Sequence, residues 1–437
     1  NFFPSFSLGW NVARENFWKP LESVVNQFKL RGSWGELGNQ NTSNLYPFYE
    51  ILPVKSNSGN WLVNGGKTNT ADIPSLVSTL LTWERVRSFN VGFDFGAFSN
   101  RLTGSFDYFV RKTVDMVGPA PQLPLVLGIA PAIVNNADMK SYGFEIELSW
   151  RDRIGEVDYG VKFNLADAQQ KVVKYPNTTN AFNDWYAGKM SGEIWGYTSL
   201  GIAKTDEEMK EHLASLPNGG QNQLGNKWGA GDIMYADING DGKVDGGKGT
   251  LADPGDQRII GNSTPRYNFG LVLDASYKGF DVSIFFQGVG KRDYAPIVGT
   301  NGAVFWGAVN NIWQSMAMEE HFDYFRPEGH PMGANLNGYY PRPDFTSNKN
   351  HQVQTRYLQD ASYIRLKNLQ IGYTLPKQWI NKLHINRCRV YVSGDNLWTG
   401  TSLASMFDPE TLAAGDWGSG KTYPLSKVIS FGLNVNF

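Results

Sequence analysis

The run Asp237-Ile238-Asn239-Gly240-Asp241-Gly242-Lys243-Val244-Asp245 sets oxygen donors at the first, third, fifth and ninth positions of a loop. A backbone carbonyl is available at the seventh position, Lys243, and glycine stands at the sixth. A hard cation gathers about six to eight oxygens at once, and glycine permits the sharp turn that aims them inward, so the spacing points to calcium. The twelfth position, where an acid ordinarily closes the sphere, is Lys248. Two readings follow. Asp253 or Asp256 closes the sphere across an inserted stretch around a structural Ca2+, or the segment is an Asx-rich turn that holds no metal. Structural calcium is the expectation, with magnesium disfavoured because it keeps more of its waters.

A second set of residues could capture a ligand. Trp61, Trp185, Tyr186, Trp306, Trp313, Tyr339 and Tyr340 all fall in segments without strand periodicity. Such rings can stack on sugars or peptide side chains, and they can equally form the small cores that order long loops. Reactive chemistry is thin. His212, His321, His330, His351 and His384 show no paired ligand spacing, no GxSxG elbow is present, and Gly288-Val289-Gly290 lacks the third glycine of a dinucleotide fingerprint. An enzyme is not expected. The single cysteine, Cys388, excludes an internal disulfide, and a net charge of −1 gives no electrostatic reason to bind nucleic acid.

The elements that must position these residues are strands. Ile429, Phe431, Leu433, Val435 and Phe437 alternate with Ser430, Gly432, Asn434 and Asn436, the period-two pattern of a strand between two different solvents. The pattern recurs at Phe6 to Ala13, Phe28 to Leu37, Phe89 to Phe95, Leu102 to Val110, Tyr142 to Trp150, Tyr159 to Leu165, Tyr267 to Tyr277, Phe280 to Phe286, Ile364 to Tyr373 and Cys388 to Leu397. The apolar phase slips by one between Leu366 and Leu369, which predicts a bulge. Short links centred on Pro20, Asn100, Ile154, Lys278 and Trp379 alternate with long ones at roughly 38–84, 113–139, 168–263, 291–361 and 398–426. Strict alternation of short turns with long loops, and apolar faces rich in aromatics, predict an all-β transmembrane antiparallel barrel with its long loops outside the cell. The eleven strands are an odd number, so the rest of the barrel is expected elsewhere. One short helix is predicted over Asp206 to Ser215, from the capping box Thr205/Glu208.

Several motifs then carry a family likeness. Lys29-Leu30-Arg31-Gly32-Ser33-Trp34-Gly35, Gly38-Asn39, Trp83-Glu84, Gly231-Asp232-Ile233 ahead of the DINGDG loop, and Arg258-Ile259-Ile260-Gly261-Asn262-Ser263-Thr264-Pro265 occur in that order. With Ser393-Gly394-Asp395-Asn396-Leu397-Trp398, Asp408-Pro409-Glu410 and the terminal Phe437, the chain resembles the carboxy-terminal half of SusC-like TonB-dependent transporters. The resemblance implies a 22-strand barrel of which these strands are half, with a plug and amino-terminal strands lying outside residues 1–437. It also implies an outer-membrane location in a Gram-negative cell, energy from the TonB complex, and a SusD-like surface lipoprotein as lid. The imported substrate would be an oligosaccharide or a peptide. In the family the acidic loop ends on an Asp that maps to Asp256, and the Gly246 to Gly255 stretch departs from that compact form. A passive porin-like channel and a structural or adhesive barrel are the alternatives. The first would need no plug partner, and the second would show no saturable ligand binding.

Overall fold

The computed structural model describes residues 2–40, 49–74, 76–78, 80–120, 126, 128–129, 131–296, 303–307, 317–344, 348–381, 384–412 and 422–437. Its frame is an antiparallel sheet of eleven strands arranged in chain order. They are β1 (Ser5–Asn11), β2 (Gln27–Asn39), β3 (Glu84–Ala97), β4 (Leu102–Val117), β5 (Asn135–Ile154), β6 (Val157–Lys174), β7 (Arg266–Tyr277), β8 (Phe280–Lys291), β9 (Tyr363–Thr374), β10 (Arg387–Thr401) and β11 (Val428–Asn436).

Pairing keeps each solvent on its own side. Leu30 faces Phe93, which faces Phe106, and Val91 faces Tyr108. The Phe93 ring lies 5.8 Å from Phe28 and 5.6 Å from Phe106, and a further step of 6.5 Å reaches Phe144. Among the described residues, no other layer covers this aromatic stripe. Phe6, Leu8, Ile429 and Phe431 stay exposed, an arrangement stable only where the surrounding medium is itself apolar. The other face carries cross-strand ion pairs. Arg31 reaches Asp94 at 2.8 Å and Asp107 at 2.8 Å, and Arg389 pairs with Asp281 and bonds Gln370 at 2.9 Å. Such a charged face suits the wet lumen of a barrel.

The predicted strands are all present, with two corrections at their ends. β1 stops at Asn11, because Val12–Arg14 wind into a 3-10 turn closed by Glu15 N donating to Val12 O at 3.0 Å. The turn placed at Ile154 is Gly155-Glu156, with Gly155 at φ 62 and Ile154 ending β5. The Lys278-Gly279 turn has both residues at positive φ, as a tight primed turn requires, and a Cβ on Gly279 would lie 2.8 Å from Thr374 O. The phase slip is a bulge: Phe285 faces Asn368 and Phe286 faces Leu366, leaving Lys367 without a partner on β8.

Among the described residues, the larger cluster of buried apolar side chains lies outside the eleven strands. Buried Tyr197, Ile233, Tyr235, Phe305, Trp306 and Phe407, among others, form one cluster drawn from the links 175–265, 292–362 and 402–427. The described residues of these long links therefore fold into a cap at one end of the sheet.

Candidate functional site

The cap is built from small elements that each have a local cause. The helix α1 (Asp206–Ala214) starts where predicted: Thr205 Oγ1 accepts from Glu208 N at 3.1 Å. Glu208 closes the cap one residue earlier than the motif implies, accepting from Lys204 N at 2.6 Å. Two ribbons follow. Glu193–Gly196 pairs with Arg258–Asn262, and Ser199–Ile202 pairs with Ile233–Tyr235.

Two charge centres bind the cap together, and the residue reading above did not find them. Asp232 is fully buried between Arg342, at 2.8 and 2.6 Å, and the buried Lys349, at 2.8 Å; Asn350 Nδ2 and Gly229 N each donate to it at 2.9 Å. Every lone pair of this buried carboxylate is thus addressed, which is what makes its burial tolerable. At the second centre Arg365 of β9 reaches Asp408 at 2.7 Å and Glu410 at 2.8 Å, while Lys367 meets Glu410 at 2.5 Å. Burial alone would raise the Asp408 carboxyl, but Arg365 and the N–H groups of Glu410 and Leu425 hold it below the usual range. The Gly231-Asp232-Ile233 and Asp408-Pro409-Glu410 motifs were the available signals for both centres.

The acidic loop curls as its glycines permit. Asp237 accepts from Gly240 N at 2.7 Å and Gly242 N at 2.8 Å, Asn239 Oδ1 from Asp241 N at 3.0 Å, and Asp241 from Lys243 N at 3.2 Å. The buried Asp256 reaches back across the insertion to Ile238 N at 2.7 Å and Asp245 N at 2.8 Å. Asp245 is held by the Lys243 ammonium, whose hydrogen bond keeps its carboxyl below the usual range. The six predicted residues Asp237, Asn239, Asp241, Lys243, Asp245 and Asp256 are therefore neighbours in one curl. Among the described residues, no group of three or more acidic, histidine or cysteine side chains converges in metal-binding geometry. In the curl the side-chain oxygens of Asp237, Asn239 and Asp241 accept from its own amides, and Asp245 is engaged by Lys243. Burial beside Asp256 and Asp245 pushes the Tyr197 hydroxyl up to about 12.

The aromatic candidates separate by burial. Trp306 and Tyr340 belong to the cap core, with Trp306 packed 4.8 Å from Tyr357 and 4.5 Å from the His351 ring, so they offer no face to a ligand here. Tyr339 is partly buried against them and accepts from Gln359 Nε2 at 2.9 Å. Trp185 lies edge-on to Tyr175, and Tyr186 donates to Glu193 at 2.5 Å; both keep partial exposure. Trp61 is 59% exposed beside the small hairpin of Leu62–Val63 and Gly66–Lys67. Trp313 lies outside the described residues. His351 is a buried residue of another kind: neither ring nitrogen has a hydrogen-bond partner among the described residues, and burial holds the ring down to about 4.

Known proteins resemble this chain in sequence and in fold. The chain is 29% identical to TonB-dependent receptor P3 of Formosa agariphila, over all of this chain and 42% of that protein. It is 22% identical to TonB-dependent receptor SusC of Bacteroides thetaiotaomicron, again over the whole chain and 40% of the relative. The structure of the RagAB peptide transporter superposes with a TM-score of 0.72 at 22% identity, covering all of this chain and 43% of that one. The chain thus spans about two fifths of the relatives it matches, and the location these relatives share is the outer membrane. Residues 1–397 match the model of the TonB dependent receptor-like β-barrel, and the chain belongs to that family.

Proposed function

We propose that this chain is the carboxy-terminal half of the barrel of an active importer of oligomeric nutrients, glycan or peptide. In this reading the remaining strands of the barrel pair with the outer edges of β1 and β11. A plug-bearing portion occupies the lumen and couples to TonB, and a SusD-like surface lipoprotein closes over the cap. The observation that carries the reading is the cap itself. Its long links are joined by an apolar core and by the Asp232 and Arg365 centres, whereas a simple open pore gives no reason to build so solid a body at its mouth. The family's TonB dependence supports the energy source, and the peptide cargo named for RagAB supports an oligomeric substrate. Trp61, Trp185 and Tyr186 are the proposed ligand contacts because their rings keep accessible surface.

Calcium in the 237–256 loop stays part of the proposal on its donor types. A carboxylate oxygen that accepts one backbone N–H retains a second lone pair, and displacement of Lys243 from Asp245 would free a further acid. Native mass spectrometry of the detergent-extracted complex tests the assembly. A plug-bearing portion and a lipoprotein copurifying with this chain is the expected result, and a closed oligomer of this chain alone would overturn it.

A further inference from the structure

The ladder registers line up one row of charged side chains across five strands. Glu36 of β2 faces Arg87 of β3, Arg87 faces Lys112 of β4, Lys112 faces Lys140 of β5, and Lys140 faces Lys171 of β6. Directly opposed residues share one face of a sheet, and strand parity says which. Lys112 follows Tyr108 and Val110 at even spacing, Lys140 precedes Tyr142 and Phe144, and Lys171 is in phase with Phe163 and Leu165. The row therefore lies on the lipid-facing surface. Val172, one residue on, turns the other way into a buried cluster with Ala137 and Tyr175.

Its height follows from the same strands. The outward run Tyr142 to Trp150 measures ~26 Å at ~3.3 Å per residue, enough for a tilted strand to cross the apolar band of an outer-membrane barrel. Trp150 is near the short Gly155 turn, so Lys140 is the first outward residue beyond the opposite edge, beside the long loops. That edge is the outer-leaflet boundary.

The charges of the row do not cancel. Arg87 is taken up by Glu36 at 2.7 Å. Lys112, Lys140 and Lys171 form no ion pair among the described residues, and the Lys140 ammonium rests 5.1 Å from the Tyr142 ring centre. The acids one step further out are committed elsewhere. Asp115 pairs with Arg85 at 2.6 Å, and Asp138 accepts from Asp115 N and faces Lys174 across the ladder. Like charges directly opposed across a ladder are destabilising, and backbones in such a row are only ~5 Å apart. Three lysine stems can therefore converge on one anion, with an apolar surface directly beneath it.

We propose that Lys112, Lys140 and Lys171 bind the phosphorylated headgroup of an outer-leaflet lipid whose acyl chains lie along Tyr108, Val110, Tyr142 and Phe144. The proposal rests on the outer-membrane location and is independent of the nutrient imported. The intact transporter, extracted in mild detergent from its own membrane, would be compared with a triple variant carrying K112Q, K140Q and K171Q, counting retained phosphorylated lipids by native mass spectrometry. A lysine near an anionic lipid surface contributes about fivefold to binding, so the triple variant should lose retention on the order of a hundredfold. Arg111→Gln, on the opposite face, should retain the lipid as the parent does. Equal retention by the triple variant, equal loss by Arg111→Gln, or displacement of the lipid by inorganic phosphate would each overturn the proposal. Heat-modifiability monitors folding, and if the triple variant fails to fold, Lys140→Gln alone decides: unchanged retention contradicts the site.

Discussion

Arg342 grips the Asp232 carboxylate with two hydrogen bonds of 2.8 and 2.6 Å, although 110 residues separate the two in sequence. Through this contact the loop that follows β6 is fixed to the loop that follows β8, and the cap can act as one body.

Asp232→Asn should therefore loosen the cap while leaving the barrel wall intact. It leaves the buried Lys349 ammonium without its 2.8 Å carboxylate, a loss of roughly 3–5 kcal/mol for a broken buried pair. Hydrogen exchange should rise across Ile233–Tyr235 and residues 348–357 and stay unchanged in β3 to β5.

Thr205→Ala removes the hydroxyl that accepts from Glu208 N. The expected cost is about 1 kcal/mol, the usual value for a lost helix cap. It should appear as faster amide exchange confined to α1, with Thr205→Ser restoring protection.

The cap should weaken in mild acid because of His351. Burial holds the folded ring down to about 4, while the unfolded ring titrates near ~6.5. Stability is then fully present above ~6.5 and is lost as pH falls toward 4, by on the order of 3 kcal/mol. Asp344 acts weakly in the opposite sense. His351→Phe should abolish this pH dependence at little cost, because neither ring nitrogen has a hydrogen-bond partner to lose among the described residues. Limited proteolysis of the cap between pH 7 and pH 4 would read both effects.

Calcium, if bound by the 237–256 loop, should protect that segment from protease, with protection removed by a chelator and by Asp241→Ala. Protection unaltered by chelator would leave the loop as an Asx-rich turn.

The strands were legible in the sequence wherever two solvents met. Phe89 to Phe95 and Tyr142 to Trp150 alternate because lipid faces one side and water the other, and both runs became strands. The strand ends were not legible. β4 runs on to Val117, β5 begins at Asn135 and β6 reaches Lys174; beyond the apolar layer water bathes both faces, so pairing continues while alternation fades. The cap was hidden for a different reason. Nothing local to Asp232 names Arg342 or Lys349 as its partners, and a tryptophan such as Trp306 reads the same whether it serves a ligand or a core. The Lys367 bulge was visible because a one-residue slip reverses the apolar phase.

Energy-dependent uptake tests the importer most directly. Cells expressing the intact transporter would be given labelled oligosaccharides and peptides with and without a protonophore. Saturable accumulation that disappears when the proton-motive force is dissipated is the predicted result. Flux that rises linearly with concentration and ignores the protonophore would contradict active import and identify a passive channel.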